Sequence, residues 1–295
     1  MADAPTNLTA RFCLKVSRPG LWFQTLWLYL LPLTRDADWQ APALWLGLLY
    51  VSWPLNLLVY GWNDLVDVDI DAANPRKDSW LFGARGSLAQ LKALRPLMAL
   101  VQVPFVIAFA YYGGVELVAV FVGIVAVNAS YNASIGGLRG RPPFDLLNPL
   151  GYLLVVLLSL LLNDRPPLPW QAWIYLGLFV MHAQIIGEIM DVEPDRAAGR
   201  VTTATLIGVI PAKALVITLV AIEGLLCGFV FADWVLGGFL LGGVGWLLYD
   251  LFVYAGGRGY SRTEQTLAGL GMNAAGFLSM LWLFSSPSLL AVRGL

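Results

Sequence analysis

The chain has 295 residues, of which 58% are hydrophobic and 13% charged, with a formal net charge of −1 and a mean hydropathy of +0.71. That balance excludes a water-soluble domain of ordinary composition, and without a long basic tract there is no basis for a nucleic-acid partner. It points to an integral membrane protein surrounded by membrane lipid.

The first seventeen residues read as a short polar lead with no separate apolar region and cleavage site, so no processing is expected. Apolar runs long enough to cross a hydrocarbon core of roughly 30 Å then recur along the whole length, at 18–34, 43–62, 95–113, 115–133, 147–163, 172–190, 207–231, 234–255 and 264–284. These runs are continuous and leucine-rich, not short and alternating, which predicts helices and not a barrel. The expected fold is all-α and polytopic, with nine transmembrane helices around a central cavity. No composition shift marks a boundary, so 1–295 is read as one membrane domain.

Basic residues set the orientation, because Lys and Arg accumulate in cytoplasmic loops. An inside N terminus leaves only Arg35, Arg165 and Arg293 on the opposite side, against fifteen Lys and Arg inside. The N terminus and the longer loops, which carry almost every ionisable group, are therefore placed at the cytoplasmic face of a cytoplasmic or inner membrane. Cys13 and Cys227 fit neither disulfide nor metal spacing.

The second predicted span runs into "YGWNDLVDVDIDAANPRKD", residues 60–78, which holds Asp64, Asp67, Asp69, Asp71 and Asp78. The sixth runs into "EIMDVEPDR", with Glu188, Asp191, Glu193 and Asp195, and each of these four lies 124 residues after its counterpart in the first set. Internal symmetry of this kind often marks a site between two halves of a membrane protein.

On an ideal helix, positions i, i+3 and i+7 lie at about 0°, 300° and 340°, so Asp64, Asp67 and Asp71 share one face, as do Glu188, Asp191 and Asp195. Asp69 and Glu193 point elsewhere. Three carboxylates on one face repel one another and are costly near a bilayer, and a cation relieves both penalties. The donors are all oxygens, Asn63 can add an amide carbonyl, and no His or Cys lies nearby, which selects Mg2+ over zinc or copper.

Six carboxylates exceed what one protein-held Mg2+ needs. Mg2+ usually shares its sphere with waters and substrate phosphates, so two acidic faces beside basic residues suggest a metal-bridged diphosphate. Arg76, Lys77, Arg139, Arg141, Arg196 and Arg200 are candidates for its oxygens. The bland alternative is a pair of solvated helix ends, which the identical register of two clusters disfavours.

Other polar residues are weighed against plainer roles. His182 lies about 240° from Glu188 on the sixth helix, off the acidic face, and is assigned to packing or capping. Gln184 is closer in angle and is a candidate to meet the acceptor. Pro194 is expected to bend or end the sixth helix at the motif. Glu223, within the seventh span, has no assignable role.

At these motifs the sequence resembles the UbiA superfamily of intramembrane prenyltransferases. "NDLVDVDID" matches that family's NDxxDxxxD at Asn63, Asp64, Asp67 and Asp71. "EIMDVEPDR" matches its second motif, usually DxxDxxxD, with Glu188 in the first acidic place followed by Asp191 and Asp195. "YNASIGGLRGRPPFD" is similar to a YSxPPLRxKxRPxxD stretch: Tyr131, Arg139, Arg141, Pro142 and Asp145 fall on its Tyr, Lys, Arg, Pro and Asp. Ser134 and Ile135 replace the proline pair, and Gly137 replaces the first Arg. Asn56 falls on a family position that is polar within the second helix, and Gly187 stands where many members carry Lys. "VYGWNDLVDVDIDAANPRKD", "SRPGLWF" and "TTATLIG" lean toward the lycopene elongase branch.

The resemblance implies a Mg2+-dependent enzyme that transfers a prenyl group from an allylic polyprenyl diphosphate donor to a lipophilic acceptor within the membrane, the acceptor being a carotenoid end. Asn63, Asp64, Asp67, Asp71, Asp191 and Asp195 take the catalytic and metal roles, with Glu188 as a further ligand. Asn56, Arg76, Lys77, Tyr131, Arg139, Arg141, Gln184 and Arg196 take the substrate-binding roles. Tyr131 and Trp62, beside the motifs, are the aromatic rings expected to shield the allylic cation. The alternatives are an aromatic or tetrapyrrole acceptor of the quinone, chlorophyll or heme pathways, a diphosphate hydrolase or terpene cyclase on the same scaffold, and a cation-coupled transporter.

Overall fold

The computed structural model describes residues 7–133 and 137–285. Ser134 and Ile135 of the central loop and Arg293 of the charge count lie outside them. Among the described residues the chain is helical, with one isolated bridge between Ser79 and Gly83 and no strand.

In chain order the helices are α1 (Ala10–Val16), α2 (Trp22–Leu30), α3 (Pro42–Val66), α4 (Val68–Ala73), α5 (Leu88–Asn132), α6 (Phe144–Leu147), α7 (Leu153–Leu162), α8 (Trp170–Met190), α9 (Val192–Ala197), α10 (Thr203–Ile207), α11 (Val209–Leu225), α12 (Trp234–Tyr249) and α13 (Arg262–Ser285). Wider π turns extend α11 to Val230 and α12 to Tyr254. Among the described residues, seven helical stretches are long and apolar enough to cross a membrane: α3, α5, α6 through α7, α8, extended α11, extended α12 and α13.

Two places differ from the nine predicted spans. The first span is a 3₁₀ turn at Pro19–Leu21 followed by α2, which has only 9 residues. The third and fourth belong to the single assignment α5, whose 45 residues would extend about 68 Å if straight, more than twice a hydrocarbon core. The helical path breaks at Gly113 (φ −138°, ψ 20°) and Gly114 (φ 56°, ψ −141°). The positive φ at Gly114 strains any residue with a Cβ, which is why glycine occupies the break.

The helices pack as successive neighbours: α2 and α5 against α3, α7 against α5, α11 against α8 and α12, and α13 against α2. The α2–α3 approach is close enough that a Cβ on Gly47 would lie 2.0 Å from Tyr29 Oη. Tyr29 is fully buried and its hydroxyl accepts a hydrogen bond from Asn163 Nδ2 at 2.9 Å. On the perimeter the large apolar side chains are exposed, with Val115 at 80% and Phe252 at 77%. Such a surface suits hydrocarbon and not water.

Candidate functional site

The two acidic motifs come together because each long helix breaks at its middle acid. Asp67 ends α3 and Asp191 ends α8, with nearly the same backbone conformation (φ −98°, ψ 11° and φ −99°, ψ 4°). The short helices that follow, α4 and α9, then pack against each other. One unbroken acidic face, as drawn on an ideal helix, is therefore not what forms in either motif. Pro194 contributes to the second break, since it lacks an N–H and its ring would clash with the carbonyl of Met190. The first motif breaks without a proline.

Above this junction lies a cavity of about 500 Å³, lined by side chains of α2, α3, α5, α7, α8, α11, α12 and α13. One end is polar, with Asn63, Asp67, Asp71, Asn74, Arg76, Lys77, Arg139, Asp191, Asp195 and Arg200 on its wall. The rest is apolar and includes Phe23, Trp27, Leu55, Ile124, Phe179 and Leu240.

The acids at the polar end are all matched with bases, and the matching crosses between motifs. Arg76, in the tail of the first motif, donates through Nη2 to Asp191 Oδ2 of the second. Asn74 Nδ2 donates to the other oxygen of Asp191 at 3.4 Å. Arg200, beyond the second motif, donates to Asp67 of the first and reaches Asp195 Oδ1 at 3.3 Å. Arg139 also donates to Asp67 and lies 5.4 Å over the Tyr131 ring. Lys77 Nζ sits 2.6 Å from Asp64 Oδ1 and 2.7 Å from Asp71 Oδ2.

Burial disfavours the charged form of two of these carboxylates. Asp195 is pushed up to about 6, first by burial and then by the charge of Asp191. Asp71 is also raised by burial, against the opposing pull of Lys77.

Several expected roles meet a different arrangement. Asp64 is behind the cavity wall, 1% exposed, held by Lys77 and by Arg18 Nη2 at 2.7 Å. Glu188 lines the cavity, yet both its oxygens are engaged: Gln184 Nε2 donates to Oε1 at 3.1 Å, and the backbone N–H of Ala204 donates to Oε2 at 3.1 Å. It thus caps the start of α10 together with Asp145, which accepts from the N–H and hydroxyl of Thr203 at 2.6 and 2.8 Å. Asn56 does not line the cavity; its amide donates to Thr25 Oγ1, Val51 O and Ser52 O at 2.9, 2.9 and 2.5 Å, tying α2 to α3. Arg141 and Arg196 are exposed and outside the cavity lining, and Trp62, half-buried, is also outside it. Tyr131 and Gln184 do line it.

Arg18 is the site residue that sequence reasoning missed. It lines the cavity in the left-handed conformation (φ 52°, ψ 66°), held by Asp64 and 4.3 Å over the Tyr60 ring. That backbone costs about 1 kcal/mol and persists because its partners fix it. The "SRPGLWF" string was the available signal.

The donor chemistry suits a hard cation. Asn63, Asp67, Asp71, Asp191 and Asp195 present only oxygen donors to the cavity, and Asp64 Oδ2 is buried without a hydrogen-bond partner. With the bases folded onto the acids, no three Asp, Glu, His or Cys side chains among the described residues gather closely enough to hold a metal. The arrangement has five bases against the acids of two motifs, so the polar end can exchange internal ion pairs for a polyanion with its own cations.

Comparison with known proteins agrees with this geometry. A family model described as the UbiA prenyltransferase family matches residues 21–270. The lycopene elongase/hydratase of Corynebacterium glutamicum is 31% identical over 209 residues, covering 67% of this chain and 70% of that protein. That of Halobacterium salinarum is 30% identical over 208 residues, covering 67% and 72%. Among solved structures, a UbiA homolog from Archaeoglobus fulgidus bound to DMAPP and Mg2+ has the same fold, with a TM-score of 0.67 at 18% identity over 94% of this chain and all of that one. The same homolog bound to GPP and Mg2+ gives a TM-score of 0.63.

Proposed function

The chain belongs to the UbiA prenyltransferase family, and on that premise we propose that it moves a prenyl group from an allylic diphosphate onto the end of a carotenoid such as lycopene. The enzyme class sets aside the transporter alternative. The observation that carries the reading is the cross-matching of the motifs: acids of one are neutralised by bases associated with the other, around the mouth of an apolar cavity. The carotenoid end is supported by the identity to lycopene elongase/hydratases over two thirds of their length.

In this reading Asn63, Asp67 and Asp71 on one side, and Asp191 and Asp195 on the other, would hold Mg2+. The bound metal would neutralise the charge that develops on the leaving diphosphate. Arg18, Arg76, Lys77, Arg139 and Arg200 bind the diphosphate oxygens through charge-assisted hydrogen bonds once they turn from their carboxylates. Asp64 orients Lys77 and Arg18, and Glu188 orients Gln184 and α10. Tyr131, beside the polar end, would shield the allylic cation with its ring, and the apolar wall limits the access of bulk water to it.

The chain is read as one domain of nine crossings with a cytoplasmic N terminus. The seven long helices, the division of α5 at Gly113–Gly114 and the short α2 segment support that count. Fifteen of eighteen basic residues on one side support the orientation.

The acceptor is tested by presenting the protein in vesicles with labelled dimethylallyl diphosphate, Mg2+ and either lycopene or an aromatic quinone precursor. Label entering only the carotenoid fraction is expected. Transfer to the aromatic compound at equal or greater rate contradicts a carotenoid acceptor.

A further inference from the structure

His182 lies six residues before Glu188 on α8, roughly 9 Å along the helix and away from the acidic junction. It lines the same cavity. Its Nδ1 is 2.6 Å from Oε1 of Glu223 on α11. Glu223 is 0% exposed, and its Oε2 has no hydrogen-bond partner. The imidazole meets Phe179 edge-on, with centroids 5.2 Å apart, and Phe179 stacks on Trp27 at 4.6 Å.

A carboxylate and an imidazole in the apolar interior of a helix bundle are costly, and two apolar side chains would join α8 to α11 at no such expense. The pair has the geometry of an oriented base. When Glu223 is ionised it would accept the Nδ1–H, which leaves Nε2 as the nitrogen free to take a proton, with the carboxylate charge beside the ring. Nε2 has no hydrogen-bond partner among the described residues, on a side chain that borders the apolar cavity.

We propose that His182 is the general base that quenches the carbocation formed on the acceptor, with Glu223 as its positioning residue. This rests on the prenyl-transfer reading above. The C–O bond of the allylic diphosphate breaks and its electron pair leaves with the diphosphate. The π pair of the acceptor alkene forms the new C–C bond to the allylic carbon, which leaves a tertiary cation on the acceptor. His182 Nε2 then takes a proton from the neighbouring carbon, and the C–H electron pair becomes the new C=C bond. The imidazolium later gives its proton to water. The base is thus stationed on the acceptor's side of the cavity, about two and a half helical turns from Asp191 at the diphosphate end.

The test compares the wild type with His182→Gln, Glu223→Gln and Glu223→Asp in vesicles supplied with labelled dimethylallyl diphosphate, lycopene and Mg2+, separating condensed alkene from condensed alcohol. Without the base the cation survives long enough to be trapped by water. His182→Gln should lower the rate of condensed product at least about 10-fold and lower the alkene-to-alcohol ratio by a similar factor, with the KM for the diphosphate unchanged. Glu223→Gln should shift the ratio the same way, and Glu223→Asp should retain most of the wild-type ratio. Thermal melting in detergent monitors folding; a merely structural pair would move the melting point and leave the ratio alone, which overturns the assignment. A wild type that condenses the substrates beside a His182→Gln protein with unchanged rate and ratio also overturns it. A wild type that consumes the diphosphate and makes no condensed product overturns the prenyl-transfer reading itself, and this assignment with it.

Discussion

Asp67 and Asp191, 124 residues apart, end their helices in backbone conformations that differ by only a few degrees, and each accepts an arginine associated with the other's motif. Two acids placed so equivalently should act as a unit. Asp67→Asn and Asp191→Asn are each expected to lower kcat/KM by about 100-fold or more, and the double variant should be little worse than either single one. Initial rates of diphosphate consumption check this; fully additive losses would show two independent roles.

Asp195 should make Mg2+ binding depend on pH. Its folded-state value is raised to about 6 from the ordinary 3.8, so the metal-free protein holds a proton there between roughly pH 4 and 6. The raised value means that this group carries a penalty on folding that is full above about 6 and is relieved as pH falls toward 3.8. A metal needs the carboxylate ionised, so Mg2+ affinity should rise with pH through about 6 and level off above 7. Calorimetric titration in two buffers of different ionisation enthalpy should find proton release on Mg2+ binding at pH 5.5 and little at pH 7.5.

The basic residues should divide by position and not by motif membership. Arg139→Ala and Arg200→Ala each remove a charged donor from the cavity wall and should raise the KM for the diphosphate by roughly 10- to 100-fold. Arg141→Ala and Arg196→Ala remove exposed side chains outside the cavity and should stay within about 2-fold of wild type. Steady-state kinetics over a range of diphosphate concentrations separates the two groups.

How much of this was legible follows from how local each interaction is. The apolar runs, the 124-residue repeat of acids and the oxygen-only side chains are patterns readable along the chain, and they led to the helices, to the two acidic clusters that the fold brings together and to the expectation of a hard cation. The breaks at Asp67 and Asp191 were less visible, because only the second has a proline nearby. Glu188 bonds the N–H of Ala204, sixteen residues on, and Arg18 reaches Asp64 from forty-six residues away. Neither pairing leaves a trace in spacing. Arg200 displaced Arg196 because the turn after α9 brings it back under Asp67, while Arg196 on α9 itself points outward. The link from His182 to Glu223 joins two helices whose contact no periodicity announces.

Asn56 illustrates a polar residue whose role is structural. Its amide reaches Thr25 Oγ1 on α2 and the Val51 and Ser52 carbonyls of its own helix, α3. Asn56→Ala should destabilise the protein by about 1–3 kcal/mol, seen as a fall in melting temperature in detergent, without changing the KM for the diphosphate. A raised KM at unchanged stability would place Asn56 in contact with substrate.

The central claim is Mg2+-dependent prenyl transfer at the junction of the two acidic motifs. The most direct measurement follows label from dimethylallyl diphosphate into lycopene in vesicles, for the wild type with Mg2+, the wild type with excess chelator, and Asp191→Ala with Mg2+. The account predicts labelled condensed carotenoid in the first case and a loss of at least about 100-fold in the other two. Undiminished transfer by Asp191→Ala, or transfer that survives the chelator, would contradict it.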